Sequence, residues 1–382
     1  LTLSNAIVWS LHQDDDNALW IGTDNGLNRY DLASGETKAF IVSENEDDSN
    51  GDSVIEKIMP WKADTLLLQT YNGISVFDKT TGTLSKPQPA EGNAQIFSQW
   101  NYGSAIDEKG RVYFGSDKFY RFDHNTNRVE ALALDPNIFD TDFFSAFLGT
   151  SAYYDNRMFV SMLNGLWLVD TGTLEYELVY ELPPEQRNTT MSVSSWALDQ
   201  QGILWLAFPR FGLLGLDADT FEVKQRVTAD NTLPSEIVYS LLMDSDNGLW
   251  FSSHSGLHRY ATAEGTITNY RYGQEILVSE FNEGAVTRLA DGRMAYGSTN
   301  GVVLFDPAKL FDKNKQRDTV RQMAITGVRL DSRDDLLLPK KDLSGERMIL
   351  KHDDYGISIQ FSPMLMSEKS GESYQYSLYR GP

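Results

Sequence analysis

The stretch "LWIGTDNGLNRYD" at residues 19–31 brings Trp, an Asn-Gly pair, Tyr and Asp close together. Active sites use all of these residue types. His254 and His258 stand four apart, a spacing that on a helix would offer two imidazoles to one metal ion. "DDDN" at 14–17 and "DSDNG" at 244–248 resemble the opening of calcium loops. Aromatic rings near an Arg are a combination that holds carbohydrate. Tyr71, Phe208, Arg210, Phe211 and His254 supply it in turns, and Trp9, Trp100, Tyr102, Phe144 and Tyr239 near strand starts.

The elements that carry these residues repeat. "LWIGTDNGLNRYDLASGET" returns as "LLLQTYNGISVFDKTTGTL" from 66 and "RVYFGSDKFYRFDHNTNRV" from 111. It returns again from 158, 204, 249 and 294, the last as "MAYGSTNGVVLFDPAKL". The Asp column runs Asp31, Asp78, Asp123, Asp170, Asp217, Ala261 in its place, then Asp306, in steps of 47, 45, 47, 47, 44 and 45. Each copy reads as four short strands with polar turns, and no segment keeps a 3.6-residue period over several turns. Four antiparallel strands in each of seven such repeats predict an all-β fold, a seven-bladed β-propeller over residues 1–310. The last blade shows three clear strands. A fourth can come from the N-terminus, with Leu1 to Leu3 as its remnant.

The period assigns structural work to most of the reactive-looking residues. Asn25-Gly26, Asn72-Gly73, Asn164-Gly165 and Asn300-Gly301 fit hairpin turns with positive φ at both residues. The apolar column before the Asp, from Tyr30 and Phe77 to Phe305, should fill the space between blades. The Asp column should accept backbone N–H groups of the next turn. A Gly turn separates His254 from His258 in strand context, and the acidic runs, which lack the downstream Glu of a calcium loop and fall at the same repeat turn, read as solvated turns. No phosphate loop, nucleophile elbow or paired-His motif is present. No catalytic residue, metal or cofactor is expected.

Composition agrees with this. There is no cysteine, so thiolate chemistry and disulfides are excluded. With 33 Lys+Arg against 54 Asp+Glu, the formal charge is −21, and such a surface repels nucleic acid. No run of about 18 apolar residues is present to span a membrane. Residues 309–347 hold ten basic and seven acidic residues, +3, so the rest carries −24. That shift marks a boundary. We expect a linker at 311–320 and, over 321–382, a truncated Ig-like β-sandwich with strands in "MAITGVRL", "ERMIL", "GISIQFSPML" and "SYQYSLY".

Two stretches, 232–260 and 279–307, resemble the two-component regulator propeller repeat, the second its last copy. The tail "GISIQFSPMLMSEKSGESYQYSLYRGP" resembles the opening of the triple-tyrosine module found after such propellers. The resemblance implies a periplasmic sensor region of an inner-membrane signalling protein, homodimeric and tethered through a region C-terminal to residue 382. Its output would be a histidine kinase, often hybrid, or a diguanylate cyclase (GGDEF) domain, and many relatives sense oligosaccharides. Blades 2, 3 and 4 lack the Trp of "LWIGT", and blade 5 has "AFPRFG" for "GTDNG", so no family ligand site carries over. The expected ligand contacts are therefore the irregular positions, Tyr71, Trp100, Tyr102, Phe208, Arg210, Phe211 and His254. The chain itself is expected not to be an enzyme. A propeller lyase or glycosidase, and a scaffold binding only proteins, stand as alternatives.

Overall fold

The computed structural model describes residues 3–15, 17–41, 51–101, 103–107, 109–116, 118–135, 152–154, 157–162, 164–184, 193–208, 210–229, 233–235, 237–270, 278, 280–310, 323–330, 336–337 and 357–363. Two compact units divide the chain, Leu1–Pro307 and Ala308–Pro382.

The first unit is a seven-bladed propeller. Blade 1 is β1 (Val8–Gln13), β2 (Ala18–Thr23), β3 (Gly26–Asp31) and β4 (Thr37–Phe40). Blade 2 is β5 (Ile55–Lys62), β6 (Thr65–Thr70), β7 (Gly73–Asp78) and β8 (Leu84–Ser85). Blade 3 is β9 (Ser104–Ile106), β10 (Val112–Gly115), β11 (Phe119–Asp123) and β12 (Arg128–Ala131). Blade 4 is β13 (Ala152–Tyr154), β14 (Arg157–Met162), β15 (Gly165–Asp170) and β16 (Tyr176–Glu181). Blade 5 is β17 (Ser195–Leu198), β18 (Ile203–Phe208), β19 (Gly212–Asp217) and β20 (Val223–Val227). Blade 6 is β21 (Leu241–Met243), β22 (Gly248–Ser253), β23 (Gly256–Ala261) and β24 (Thr266–Tyr270). Blade 7 has three strands among the described residues, β25 (Phe281–Arg288), β26 (Met294–Ser298) and β27 (Gly301–Phe305). Every blade is an antiparallel meander, and the first strands of successive blades adjoin around the axis.

The columns do the work expected of them, with two corrections. Phe77 packs with Trp20 and Leu27 of the previous blade, and Leu216 with Phe159 and Leu168. Asp31 Oδ1 accepts the N–H groups of Ala33 and Ser34 at 3.0 and 2.7 Å, and Asp78, Asp170 and Asp217 repeat this cap. The turns differ from expectation. Gly26 and Gly73 have φ of 111° and 90°, but neither Asn25 nor Asn72 is among the residues with positive φ. The Gly alone takes the left-handed region, as in a hairpin closed by a Gly bulge. Its N–H reaches the segment entering the next blade, Gly26 to Ser53 O at 2.7 Å. A Cβ would lie 2.3 Å from Phe97 O at Gly73 and 2.3 Å from Val227 O at Gly212, so blade 5 keeps the Gly where the Asn is lost.

The second correction concerns the acidic turns. They are not simply solvated. Asp14, Asp199 and Asp244 accept the indole N–H of the Trp six residues on, Trp20, Trp205 and Trp250, at 3.2, 3.0 and 2.8 Å. In blade 3 Tyr113 replaces the Trp and donates to Asp107 at 3.2 Å. The three Trp are buried, and losing one to Ala in such a core costs about 3–5 kcal/mol. Blade 2 has Leu67 in the Trp column and Trp61 in the Asp column. The buried Trp61 Nε1 has no hydrogen-bond partner among the described residues.

The ring closes through packing and through hydrogen bonds between innermost strands. Ser10 Oγ donates to Ile55 O, Ser194 Oγ to Val238 O, Ser240 Oγ to Asn282 O, and Asn282 Nδ2 to Val8 O at 2.8 Å. In blade 2, Lys57 takes the Ser10 place and its amine donates to Ser104 O. Burial draws that amine down to about 8. Leu289 and Ala295 of blade 7 share a core with Val8, Leu11 and Ile21, and Leu3 packs on it part-buried. Leu1 and Thr2 lie outside the described residues.

In the second unit, β28 (Met323–Leu330), β29 (Leu336–Leu337) and β30 (Ile357–Pro363) form one antiparallel sheet of order β29-β28-β30. Two of the expected strands, "MAITGVRL" and "GISIQFSPML", thus appear. "ERMIL", "SYQYSLY" and the linker 311–320 lie outside the described residues.

Candidate functional site

The turns between the second and third strands share one face with the connections between blades. Gly301 N–H donates to Ala6 O at 2.7 Å, and Asp24 N–H to Ile7 O at 3.0 Å. On this face several innermost strands carry a bulge. The register shifts between Val8 and Ser10 in β1, between Ile55 and Lys57 in β5, and between Phe281 and Val286 in β25. Trp9, Glu56 and Glu283 lie within these bulges. A bulge re-aims a side chain that strict alternation would pair.

At the mouth of the channel, between blades 1 and 3, the bulge residues meet the turns. Trp9 Nε1 donates to Asp24 Oδ1 at 3.0 Å. Gln69 Nε2 donates to Glu56 Oε2 at 3.3 Å, and Trp100 also bonds Glu56. Burial pushes the Glu56 carboxyl above its usual range, against these two hydrogen bonds. Tyr71 is 51% and Trp100 39% exposed. The Tyr71 phenol is raised by burial and then by the charges of Glu56 and Asp24, so all three groups lie within electrostatic reach. An exposed Trp bonded to Glu56 and an exposed Tyr within reach of its charge thus stand at one carboxylate.

Across blades 6 and 7 stands a second group. Tyr239 Oη lies 2.8 Å from His254 Nε2, with the rings edge to face at 89°. Glu280 Oε1 is 3.8 Å from His254 Nδ1. Glu283 is exposed yet hemmed in by protein, and its carboxyl is pushed up to about 7 by desolvation. His258 points away, buried and bonded to Ser253 Oγ at 2.8 Å, so the two histidines do not converge.

The third group is a cleft of about 410 Å³ between blades 4 and 5, lined by Tyr180, Phe208, Arg210, Phe211 and Arg226 among others. Phe208 is 4% exposed and belongs to the core between these blades. As the last residue of β18 it pairs with Gly212, so it forms the floor and is not an open turn residue.

The expected site residues therefore separate into three places. Tyr71 and Trp100 are together, Phe208, Arg210 and Phe211 are together, and His254 stands with Tyr239. Tyr102 lies outside the described residues. Glu56, Glu280, Glu283 and Arg226 were not anticipated. Glu56 alone had a visible signal, a charge inside the apolar run "SVIEKIM" at the repeat position of Trp9 and Tyr239.

These features define a seven-bladed propeller with an aromatic, acidic channel mouth. Residues 2–25 and 232–255 match the two component regulator propeller model, so the chain carries repeats of that family. It is 21% identical over 405 residues to histidine kinase P4 of Formosa agariphila, across 99% of this chain and 28% of that protein. Its fold is similar to the extracellular domain of a hybrid two component system from B. thetaiotaomicron, with a TM-score of 0.68 and 20% identity over 95% of this chain and 47% of that one. Virginiamycin B lyase from Staphylococcus aureus is also similar in fold, with a TM-score of 0.56 and 14% identity over 80% of this chain and 96% of that one. The chain thus spans less than half the length of either signalling relative. Among the described residues no helix is long and apolar enough to cross a membrane.

Proposed function

We propose that this chain is the ligand-binding, periplasmic part of an inner-membrane two-component signalling protein, and that it takes a saccharide at the channel mouth. The observation that carries the binding site is the placement of exposed Tyr71 and Trp100 around the Glu56 carboxylate. Flat rings stack on the C–H faces of sugars, and a carboxylate accepts their hydroxyls. The similarity to a histidine kinase and to a hybrid two component system supports the signalling setting. In this reading the chain does no chemistry. It passes the ligand signal to a kinase, or alternatively a diguanylate cyclase, through a triple-tyrosine module and a homodimer.

Titrating the chain with neutral oligosaccharides tests the site. Binding should weaken about tenfold, about 1.4 kcal/mol, on Trp100→Ala or Tyr71→Ala, with unchanged Tm. Silence across the panel, with capture of a binding protein instead, would replace the saccharide by a protein partner.

One observation favours a second reading. The His254 imidazole between Tyr239 and Glu280 is a general-base geometry, and a lyase shares the fold. Turnover of a glycan that His254→Ala abolishes would establish it.

A further inference from the structure

The cleft between blades 4 and 5 departs from the other blade junctions in sequence, backbone and charge. In blades 1, 2 and 6 the hairpin between second and third strands spans two residues, as between Thr23 and Gly26. In blade 5 it spans three, between Phe208 and Gly212, as it does in blade 3 between Gly115 and Phe119. Arg210 occupies the middle of that loop with φ of 82°. Holding a side chain in the left-handed region is strained, and such strain gathers at binding sites. The loop thereby projects Arg210 and Phe211 over the rim of the cleft.

The opposite rim is built to match. Arg226, at the end of β20, donates to the Tyr180 hydroxyl of blade 4 at 3.1 Å and lies 5.9 Å from that ring's centre. Its guanidinium is thus held in place before any ligand arrives. Among the described residues the lining contains two Arg and no Asp or Glu, in a chain of formal charge −21. Its volume of about 410 Å³ lies within the usual range for small-molecule sites. Buried Phe208 and Leu182 supply an apolar floor.

We propose that this cleft is a second ligand site, for a small ring compound bearing a carboxylate. The two guanidiniums take the anion, and Tyr180 and Phe211 take the ring. This site is separate from the channel mouth and does not depend on the saccharide reading. An acidic sugar and an aromatic acid share the required chemistry.

Ligand-observed NMR titration of the full chain separates these, using sodium D-glucuronate, sodium benzoate and D-glucose as probes. One of the two acids should saturate, glucose should not compete with it, and added salt should weaken it. Glucuronate alone binding assigns a sugar acid, and benzoate alone an aromatic acid. Arg210→Gly should weaken that acid at least tenfold while raising Tm, because Gly suits the left-handed backbone. Arg226→Ala should also weaken it, and Trp100→Ala should leave it unchanged. Neither acid binding overturns the proposal. So does binding that survives Arg210→Gly, binding matched by glucose, or binding lost on Trp100→Ala. A neutral saccharide lost on Trp100→Ala but kept in Arg210→Gly would support the channel-mouth site alone.

Discussion

Asp244 accepts the indole N–H of Trp250 at 2.8 Å through the same oxygen that takes Arg259 Nε at 2.7 Å. Both partners are buried, and Asp244 Oδ1 accepts Gly248 N–H as well. Burial pushes the Asp244 carboxyl up, but the hydrogen bonds from Arg259, Gly248 and Trp250 outweigh it and leave it below the ordinary value. A depressed folded value contributes stability above the unfolded value and loses it as pH falls through the folded one. Asp244→Ala removes the carboxylate that a buried guanidinium and a buried indole share and should cost about 3–5 kcal/mol by denaturant unfolding. Asp31→Ala removes an exposed turn cap and should cost much less. Equal losses would refute the distinction.

The same column explains what the sequence disclosed and what it hid. The period exposed seven blades because every copy must bury the same two faces. The six-residue coupling was also present: Asp14 with Trp20, Asp107 with Tyr113, Asp199 with Trp205 and Asp244 with Trp250. Where the donor is gone, so is the acid, as in Trp61 with Leu67 and Leu289 with Ala295. An acidic turn reads as solvated until packing shows which carboxylate turns inward. The site was half legible. Tyr71 and Trp100 break the repeat and are open, whereas Phe208 breaks it and is buried, because the longer loop begins after it. Glu283 depends on a bulge, which changes register and leaves little trace in an alternating pattern, whereas Glu56 shows as a charge inside an apolar run.

Trp61 offers the reverse experiment to Asp244. Its buried Nε1 has no acceptor among the described residues, and a buried donor without a partner costs roughly 1–3 kcal/mol. Trp61→Phe keeps a ring against Phe122, now 5.3 Å away, and removes that donor. We expect no loss of stability, or a small gain, in urea unfolding. Trp250→Phe removes a donor that Asp244 uses and should destabilise. A larger loss at Trp61 than at Trp250 would show that packing alone governs this column.

The hairpin glycines separate backbone conformation from space. Gly73 and Gly301 have φ of 90° and 101°. A Cβ on Gly73 would lie 2.3 Å from Phe97 O, whereas on Gly301 nothing lies within 4 Å. Both Ala variants incur the left-handed penalty, roughly 1–2 kcal/mol. Only Gly73→Ala must also push aside the backbone between blades 2 and 3. Its Tm should fall well below that of Gly301→Ala, and equal values would mean that the turn, not the approach of the next blade, demands Gly.

Glu283 gives the channel a titration near neutrality. Its carboxyl is pushed up from 4.5 to about 7 by desolvation. The folded state therefore holds its proton more tightly than the unfolded chain does. The contribution of that neutral form is complete below about pH 4.5 and is lost as pH rises through 7. Glu283→Gln stays neutral throughout. Its Tm should match the wild type at pH 4, exceed it progressively between pH 4.5 and 7, and hold a constant lead above pH 8. Burial, and after it the charges of Glu280 and Glu283, raise the Tyr239 phenol, so the variant should also slightly lower the Tyr239 titration seen by ultraviolet absorbance. A Tm difference that does not change with pH would place the Glu283 carboxyl in ordinary solvent.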